Sequence, residues 1–366
     1  MTDPQSTTEK QYEEVFAPAV EFALDNHDGD FILGTGDFVD DGRSFIQWQR
    51  MFNSTNAFMS IPVMGAAGNH EEKGDFANVN NFIYTNLPEQ DTTTGVYYSF
   101  DYNTAHVAVL NSNDLNDNGG LSDAQIQWLT EDMNASEKAW KFVALHKAPY
   151  SNGSHFDDED VAAIRAQFAT LMPELDIDIV FQGHDHVFMR TDVMNNNAVV
   201  ETEKQTLSYN GLEYVSKISP DGTIYSINGT AGCKHYEPKA DSETAGAFPT
   251  GETVVSINIP TYSYIQIDGG NLYFDSYAVN GDGSEERIDS FAISKVVTLE
   301  DGTIIDGTNN DNIVEEDDGI KDVIDDITDT FRQNPVLSYV TVAGVALALV
   351  VGVVVTVVVR RRREEA

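Results

Sequence analysis

The stretch FILGTGDFVDDG, residues 31–42, decides the fold. Phe31, Ile32 and Leu33 form an apolar run that stops at Gly34, too short for a helix and suited to a buried strand. The loop that follows carries Asp37 at the carboxyl end of that strand. The same grammar recurs three times: IPVMGAAGNHE (61–71) ends on Asn69 and His70, WKFVALHKAPY (140–150) delivers His146, and IDIVFQGHDH (177–186) delivers His184 and His186. Helical patterns lie between these strands. EKQYEEVFAPAVEFAL (9–24) places Tyr12, Val15, Phe16, Val20, Phe22 and Ala23 at helical spacing. FIQWQRMF (45–52), SDAQIQWLTEDM (122–133, capped by Ser122) and EDVAAIRAQFATLM (159–172) read likewise. Alternating strands and helices define an α/β fold, in which sites gather at the carboxyl ends of the strands.

After Met194 the texture changes to the alternating segments GTIYSINGT (222–230), YSYIQIDGGNLYFDSYAV (262–279) and ERIDSFAISKV (286–296), with DGGN (268–271) as a hairpin turn. A second, more antiparallel sheet is expected there. Together the halves predict a layered αββα sandwich of two mixed sheets over residues 1–297, with no internal repeat.

Sixty acidic residues against 21 basic ones give the 366-residue chain a formal charge of −39, so nucleic-acid phosphates are repelled and no nucleic-acid partner is expected. Cys233 is the single cysteine, which excludes an intramolecular disulfide and a cysteine-rich zinc module. Residues 298–335 read as an acidic stalk in which Ile320, Val323, Ile324, Ile327 and Phe331 share one helical face. VLSYVTVAGVALALVVGVVVTVVV (336–359) carries no charge and, at about 36 Å as a helix, is long enough to span a bilayer. The tail 360–366 begins with four arginines, which the positive-inside rule places in the cytoplasm. A single-pass cell-membrane protein with its main domain extracellular is the expectation. Such a domain needs an export signal, and the opening residues show no basic segment followed by an apolar run. The natural start is therefore expected to lie upstream of Met1.

Imidazoles and carboxylates converging from several strand ends suit zinc, iron or manganese. Asp3, Asp37, Asp40, Asn69, His146, His184 and His186 supply seven candidate ligands, more than one ion needs. Two ions about 3.5–4 Å apart would polarise a phosphoryl oxygen and hold a hydroxide for in-line attack. Hydrolysis of a phosphate ester is the chemistry this inventory predicts, and no Ser or Cys stands out as a covalent nucleophile.

The ordered motifs GD-x-x-D-x-G, GNHE, H-x-x-P and GHxH resemble the calcineurin-like metallophosphoesterase superfamily. FVALHKAPYSNGSH (142–155) and DIVFQGHDHVFMR (178–190) are similar to its purple acid phosphatase branch. The likeness runs from about Thr2 to Tyr277. It implies two divalent or trivalent transition-metal ions, the first on Asp3, Asp37 and His186, the second on Asp37, Asn69, His146 and His184. It also implies catalytic roles for His70, which stabilises charge or protonates the leaving oxygen, and for His155, which contacts substrate. The superfamily opens with Asp-x-His at the end of its first strand; here Asp3 takes the Asp position, Gln5 replaces the His, and the delivering strand is expected to be missing. A β-sandwich module that often precedes the catalytic domain would be missing with it. Asp40 stands where the purple branch has an iron-binding Tyr. Arg190 and His235 are weaker candidates for the edge of the site. The expected protein is a surface-anchored phosphatase of small phosphate monoesters. Nucleotide or phosphodiester hydrolysis is the nearest alternative, and a non-catalytic surface binding protein with a weakened metal site is the rival from another class.

Overall fold

The computed structural model describes residues 1–74, 76–83, 96–239, 253–299 and 301–308. The expected membrane span 336–359, the tail 360–366 and the stalk beyond residue 308 lie outside the described residues. Among the described residues no helix is long and apolar enough to cross a membrane.

Helix α1 (Glu9–Gln11), a π-turn (Tyr12–Phe16) and α2 (Ala17–Asn26) form one run close to the expected helix. Strand β1 (Ile32–Gly34), α3 (Phe45–Asn53), β2 (Val63–Gly65) and α4 (Ala77–Phe82) follow. Next come β3 (Tyr98–Tyr102), β4 (Ala105–Val109), α5 (Asp123–Ala135), β5 (Trp140–Ala144), α6 (Glu159–Glu174) and β6 (Ile179–Gln182). The remaining strands are β7 (Phe188–Arg190), β8 (Met194–Asn195), β9 (Ala198–Val199), β10 (Lys204–Tyr209), β11 (Leu212–Ile218) and β12 (Ile224–Asn228). Last are β13 (Thr253–Val255), β14 (Thr261–Asp268), β15 (Asn271–Val279), β16 (Glu285–Ser294), β17 (Val296–Thr298) and β18 (Ile304–Asp306).

Two mixed sheets carry the fold. A seven-stranded sheet has the order β13-β7-β12-β6-β5-β4-β3, with β4, β5, β6 and β12 parallel. A five-stranded sheet, β10-β11-β16-β15-β14, is antiparallel except for the β11/β16 pair. The alternation of side chains along β5 shows how the layers form. Phe142 and Ala144 join one core cluster with Leu272, Phe274, Phe291 and Ile293 of the five-stranded sheet. Val143 points the other way, into a second cluster with Leu129 and Met133 of α5 and Ile164, Phe168 and Met172 of α6. This is the expected sandwich, and each face of the central sheet has its own apolar cover.

Three features depart from the sequence reading. Strand β12, expected in the second sheet, lies in the first, parallel to β6 and antiparallel to β7. All five of its residues are buried, as a strand covered on both faces requires. The β3–β4 hairpin was not legible as strands, and β1 and β2 form a separate parallel pair of three residues each. Residues 1–3, where no strand was expected, run beside β1. The Met1 amino group donates to the Leu33 carbonyl (2.9 Å), Thr35 N to the Met1 carbonyl (3.1 Å), and Asp3 N to the Gly36 carbonyl (3.2 Å). Thus β1 itself holds Asp3 beside the loop that carries Asp37.

The β3–β4 hairpin is clamped to α5 by a titratable group. His106 pairs across the strands with Asp101, its Nδ1 2.6 Å from Asp101 Oδ1, and its Nε2 lies 2.8 Å from Asp132 Oδ2 on α5. Lys138 also faces Asp101, at 3.9 Å. Both ring nitrogens face carboxylates, so the cationic ring with two N–H donors fits the site. Burial works against that charge, but the hydrogen bonds to Asp132 and Asp101 outweigh it and raise the His106 pKa. A raised folded-state pKa gives stability that is complete below the unfolded value of about 6.5 and is lost as pH rises through the folded value. His106→Gln is therefore expected to lower Tm more at about pH 5.5 than at about pH 9. Equal losses at both pH values would show that the ring acts as a neutral spacer.

Candidate metal centre

The loops after β1, β2, β5 and β6 meet the opening residues at one place. Asp37 Oδ2 lies 3.3 Å from His146 Nε2, which in turn lies 3.0 Å from Asn69 Oδ1 and 3.1 Å from His184 Nδ1. Asp3 Oδ1 lies 3.5 Å from His186 Nε2. Two groups of ligand atoms thus form at the centre, Asp37–His146–His184 and Asp3–Asp37–His186, each within 4.8 Å, and Asp37 belongs to both; a third such group among the described residues, His155–Asp158–His184, lies beside them. Asn69 completes the first of these.

Local backbone makes this convergence possible. Asp3, Asp37, His184 and His186 all have positive φ, +49°, +51°, +74° and +50°. A left-handed residue costs a non-glycine side chain about 1–3 kcal/mol, and such residues cluster where function holds them. The glycines of the motifs clear the space the carboxylates use. A Cβ at Gly68 would stand 2.1 Å from Asp37 Oδ1, and one at Gly183 would stand 2.9 Å from Asp3 Oδ2.

Backbone carbonyls set the tautomers. His146 Nδ1 donates to the Thr35 carbonyl (2.9 Å) and His186 Nδ1 to the Lys234 carbonyl (2.7 Å), so each turns Nε2 inward. Glu71, fully buried, accepts from Asp37 N (2.7 Å), Gly68 N (2.8 Å) and Val39 N (3.2 Å), tying the loops after β1 and β2 together. Burial and the Asp37 carboxylate push Glu71 up to about 8, against the pull of those N–H donors. Burial also opposes charge on Asp37, yet His146 and His70 hold its carboxyl well below the usual range. His146 shows the converse: burial disfavours its charge, and Asp37 raises it to about 9. Burial and then the neighbouring His146 and His155 keep His184 neutral. Lone pairs of buried imidazoles and carboxylates crowded to 3.0–3.5 Å suit transition-metal cations, which proton sharing can only imitate. The residues fit the ions.

His70 and His155 flank these groups. His70 Nδ1 donates to the Asp40 carbonyl at 2.5 Å, which turns Nε2 inward, 3.9 Å from Asp37 Oδ2. The His155 ring lies 4.2 Å from that of His184, and its Nδ1 is held by Asp158 Oδ2 at 2.8 Å. Two candidates lie elsewhere. The Asp40 side chain is 46% exposed and its Oδ1 faces His70 Nδ1 at 3.8 Å, outside both ligand groups. Its backbone carbonyl, engaged by His70 and Lys73, is what serves the site. Arg190 is buried against Asp289 on β16 (2.6 and 2.9 Å) and stacks on Phe291, so it ties the two sheets together. His235 is half-buried near His186, and burial and then the neighbouring imidazole lower its pKa. Thr35, Glu71, Asp158 and Lys234 were not singled out from the sequence. Glu71 alone carried a local signal, since it closes the GNHE motif.

The sandwich and its strand-end ligands define an α/β protein with a candidate two-ion centre. The chain belongs to the calcineurin-like phosphoesterase family, whose sequence model matches residues 2–188, and within it to a branch like the purple acid phosphatases. It is 23% identical over 278 residues to "Acid phosphatase type 7" from Homo sapiens, covering 69% of this chain and 59% of that protein. It is 28% identical over 145 residues to "Purple acid phosphatase 23" from Arabidopsis thaliana, covering 37% and 31%. The fold is similar to that of purple acid phosphatase PPD1 from yellow lupin, with a TM-score of 0.58 at 18% identity over 76% of this chain and 49% of that one. The match thus spans 31% to 59% of the length of these relatives.

Proposed function

We propose that this chain hydrolyses small phosphate monoesters with two transition-metal ions, and that the span 336–359 displays it on the outer face of a membrane. The observation that supports the chemistry best is the sharing of Asp37 between two ligand groups, with the inward Nε2 of His70 and the ring of His155 beside them. Ions held there would supply Lewis acidity toward a phosphoryl oxygen and would activate water. Asp3 and His186 would hold one ion, Asn69, His146 and His184 the other, and Asp37 would contribute to both. The carbonyls of Thr35 and Lys234 keep the two imidazoles in the ligating tautomer. In its doubly protonated form His70 keeps the Nδ1 proton on the Asp40 carbonyl and delivers the Nε2 proton to the leaving oxygen, ending as the neutral imidazole. His155, its Nδ1–H held by Asp158, presents Nε2–H to a phosphoryl oxygen when the ring is doubly protonated.

Likeness to acid and purple acid phosphatases supports this reading, and the apolar run followed by arginines supports the membrane display. The test is turnover of a chromogenic aryl phosphate by the full chain loaded with Mn, Zn or Fe, beside a bis-aryl phosphodiester. Preference for the monoester is the expected result. Two bound ions with no turnover of either ester would favour a surface binding protein. Recovery of the full chain in the soluble fraction of a cell lysate would overturn the membrane assignment.

A further inference from the structure

We infer that the side-chain amide of Gln5 is the fourth protein ligand of the first ion, through its carbonyl oxygen, in the place the sequence reserved for Asp40. The inference rests on the two-ion reading above. Gln5 is 4% exposed, and its Nε2 stands 3.0 Å from His186 Nε2. The Lys234 carbonyl takes the His186 Nδ1 proton, so the atom facing Gln5 is the one with the ligating lone pair. Gln5 Oε1 is buried with no hydrogen-bond partner among the described residues. A buried amide oxygen left this way is costly. The oxygen and nitrogen of the amide are nearly isosteric and exchange by rotation about Cγ–Cδ. With no cation, the NH2 must face the imidazole lone pair, since the oxygen would meet it lone pair to lone pair. A cation between Asp3, Asp37 and His186 reverses that preference: the oxygen turns inward as a ligand, and its unmet acceptor is satisfied.

Asp40 has the opposite disposition. Its side chain is nearly half exposed and belongs to neither ligand group, although it stands only three residues beyond Asp37. Gln5 is only two residues beyond Asp3, whose backbone is pinned to Gly36, with Pro4 limiting the intervening chain. The first ion then has one nitrogen and three oxygen ligands, a harder set than the second ion's two imidazoles, one carboxylate and one amide.

The experiment is metal binding by the full-length chain, read by elemental analysis after dialysis against graded free Mn or Co and by the visible absorption of the Co form. Wild-type chain is expected to hold two equivalents. Gln5→Ala is expected to hold the second-site equivalent unchanged and to bind the other ~10-fold or more weakly, with altered Co absorption. Gln5→Glu, which keeps the oxygen and adds charge, is expected to bind the first ion at least as tightly as wild type. Asp40→Ala is expected to leave both affinities unchanged. Should Gln5→Ala fail to fold, Gln5→Glu decides: a ligating oxygen keeps or gains affinity, whereas a residue that acts only as an N–H donor to His186 loses it. Two ions at wild-type affinity in Gln5→Ala, or weakened binding in Asp40→Ala, would overturn this inference alone. A wild-type chain that binds no ion would overturn it together with the two-ion reading.

Discussion

Asp37→Asn is expected to reduce bound metal from about two equivalents to less than one and to lower turnover of an aryl phosphate by ~10^3-fold or more. Asp37 is the one residue common to both ligand groups, so a change there weakens two sites at once. Asparagine is nearly isosteric and keeps the oxygen that accepts from His70 N at 3.0 Å, so the loop after β2 retains its anchor. What is lost is the negative charge and the second ligating oxygen, and an amide bridges two cations poorly. Elemental analysis beside kcat measures both effects. A variant that kept two equivalents, or more than a tenth of wild-type turnover, would show that Asp37 does not bridge.

His70→Ala is expected to leave both ions in place and to lower kcat by ~10^2–10^4-fold, the range for loss of a positioned proton donor. His70 lies outside both ligand groups, and its ring is oriented by the Asp40 carbonyl through Nδ1. Its inward Nε2 is the atom that can serve an oxygen leaving from phosphorus. The diagnostic is the leaving group. An alkyl phosphate, whose alkoxide needs a proton, is expected to lose far more rate than a nitrophenyl phosphate, whose phenolate departs unaided. Equal losses on the two esters would reduce His70 to a stabiliser of phosphoryl charge. Loss of metal along with rate would make it part of the ligand framework.

How much of this was legible in the sequence follows from distance along the chain. The strand-end loops could be read because each is a local statement: a short apolar run, then a loop with a residue that carries a ligating atom. Asn69, His146, His184 and His186 were placed that way, and so was the α/β class, since helical and strand periods are set by nearest neighbours on one element. The positions of β12 and Arg190 were not. The sheet a strand enters, and whether an arginine meets phosphate or Asp289, depend on residues far away in sequence.

The same limit separates Asp40 from Gln5. By spacing alone Asp40 is the better ligand, a carboxylate in a metal motif, and Gln5 a weakened substitute. The fold turns the Asp40 side chain toward solvent and leaves its carbonyl to orient His70, while Gln5 is buried against His186, 181 residues away. Sequence determined the scaffold and the kinds of atoms available at its strand ends, because those depend on local pattern and residue chemistry. Tertiary structure alone decided which atoms face one another, which imidazole nitrogen is free, and which oxygen is left without a partner, because hydrogen bonds and burial are properties of packed neighbours and not of spacing.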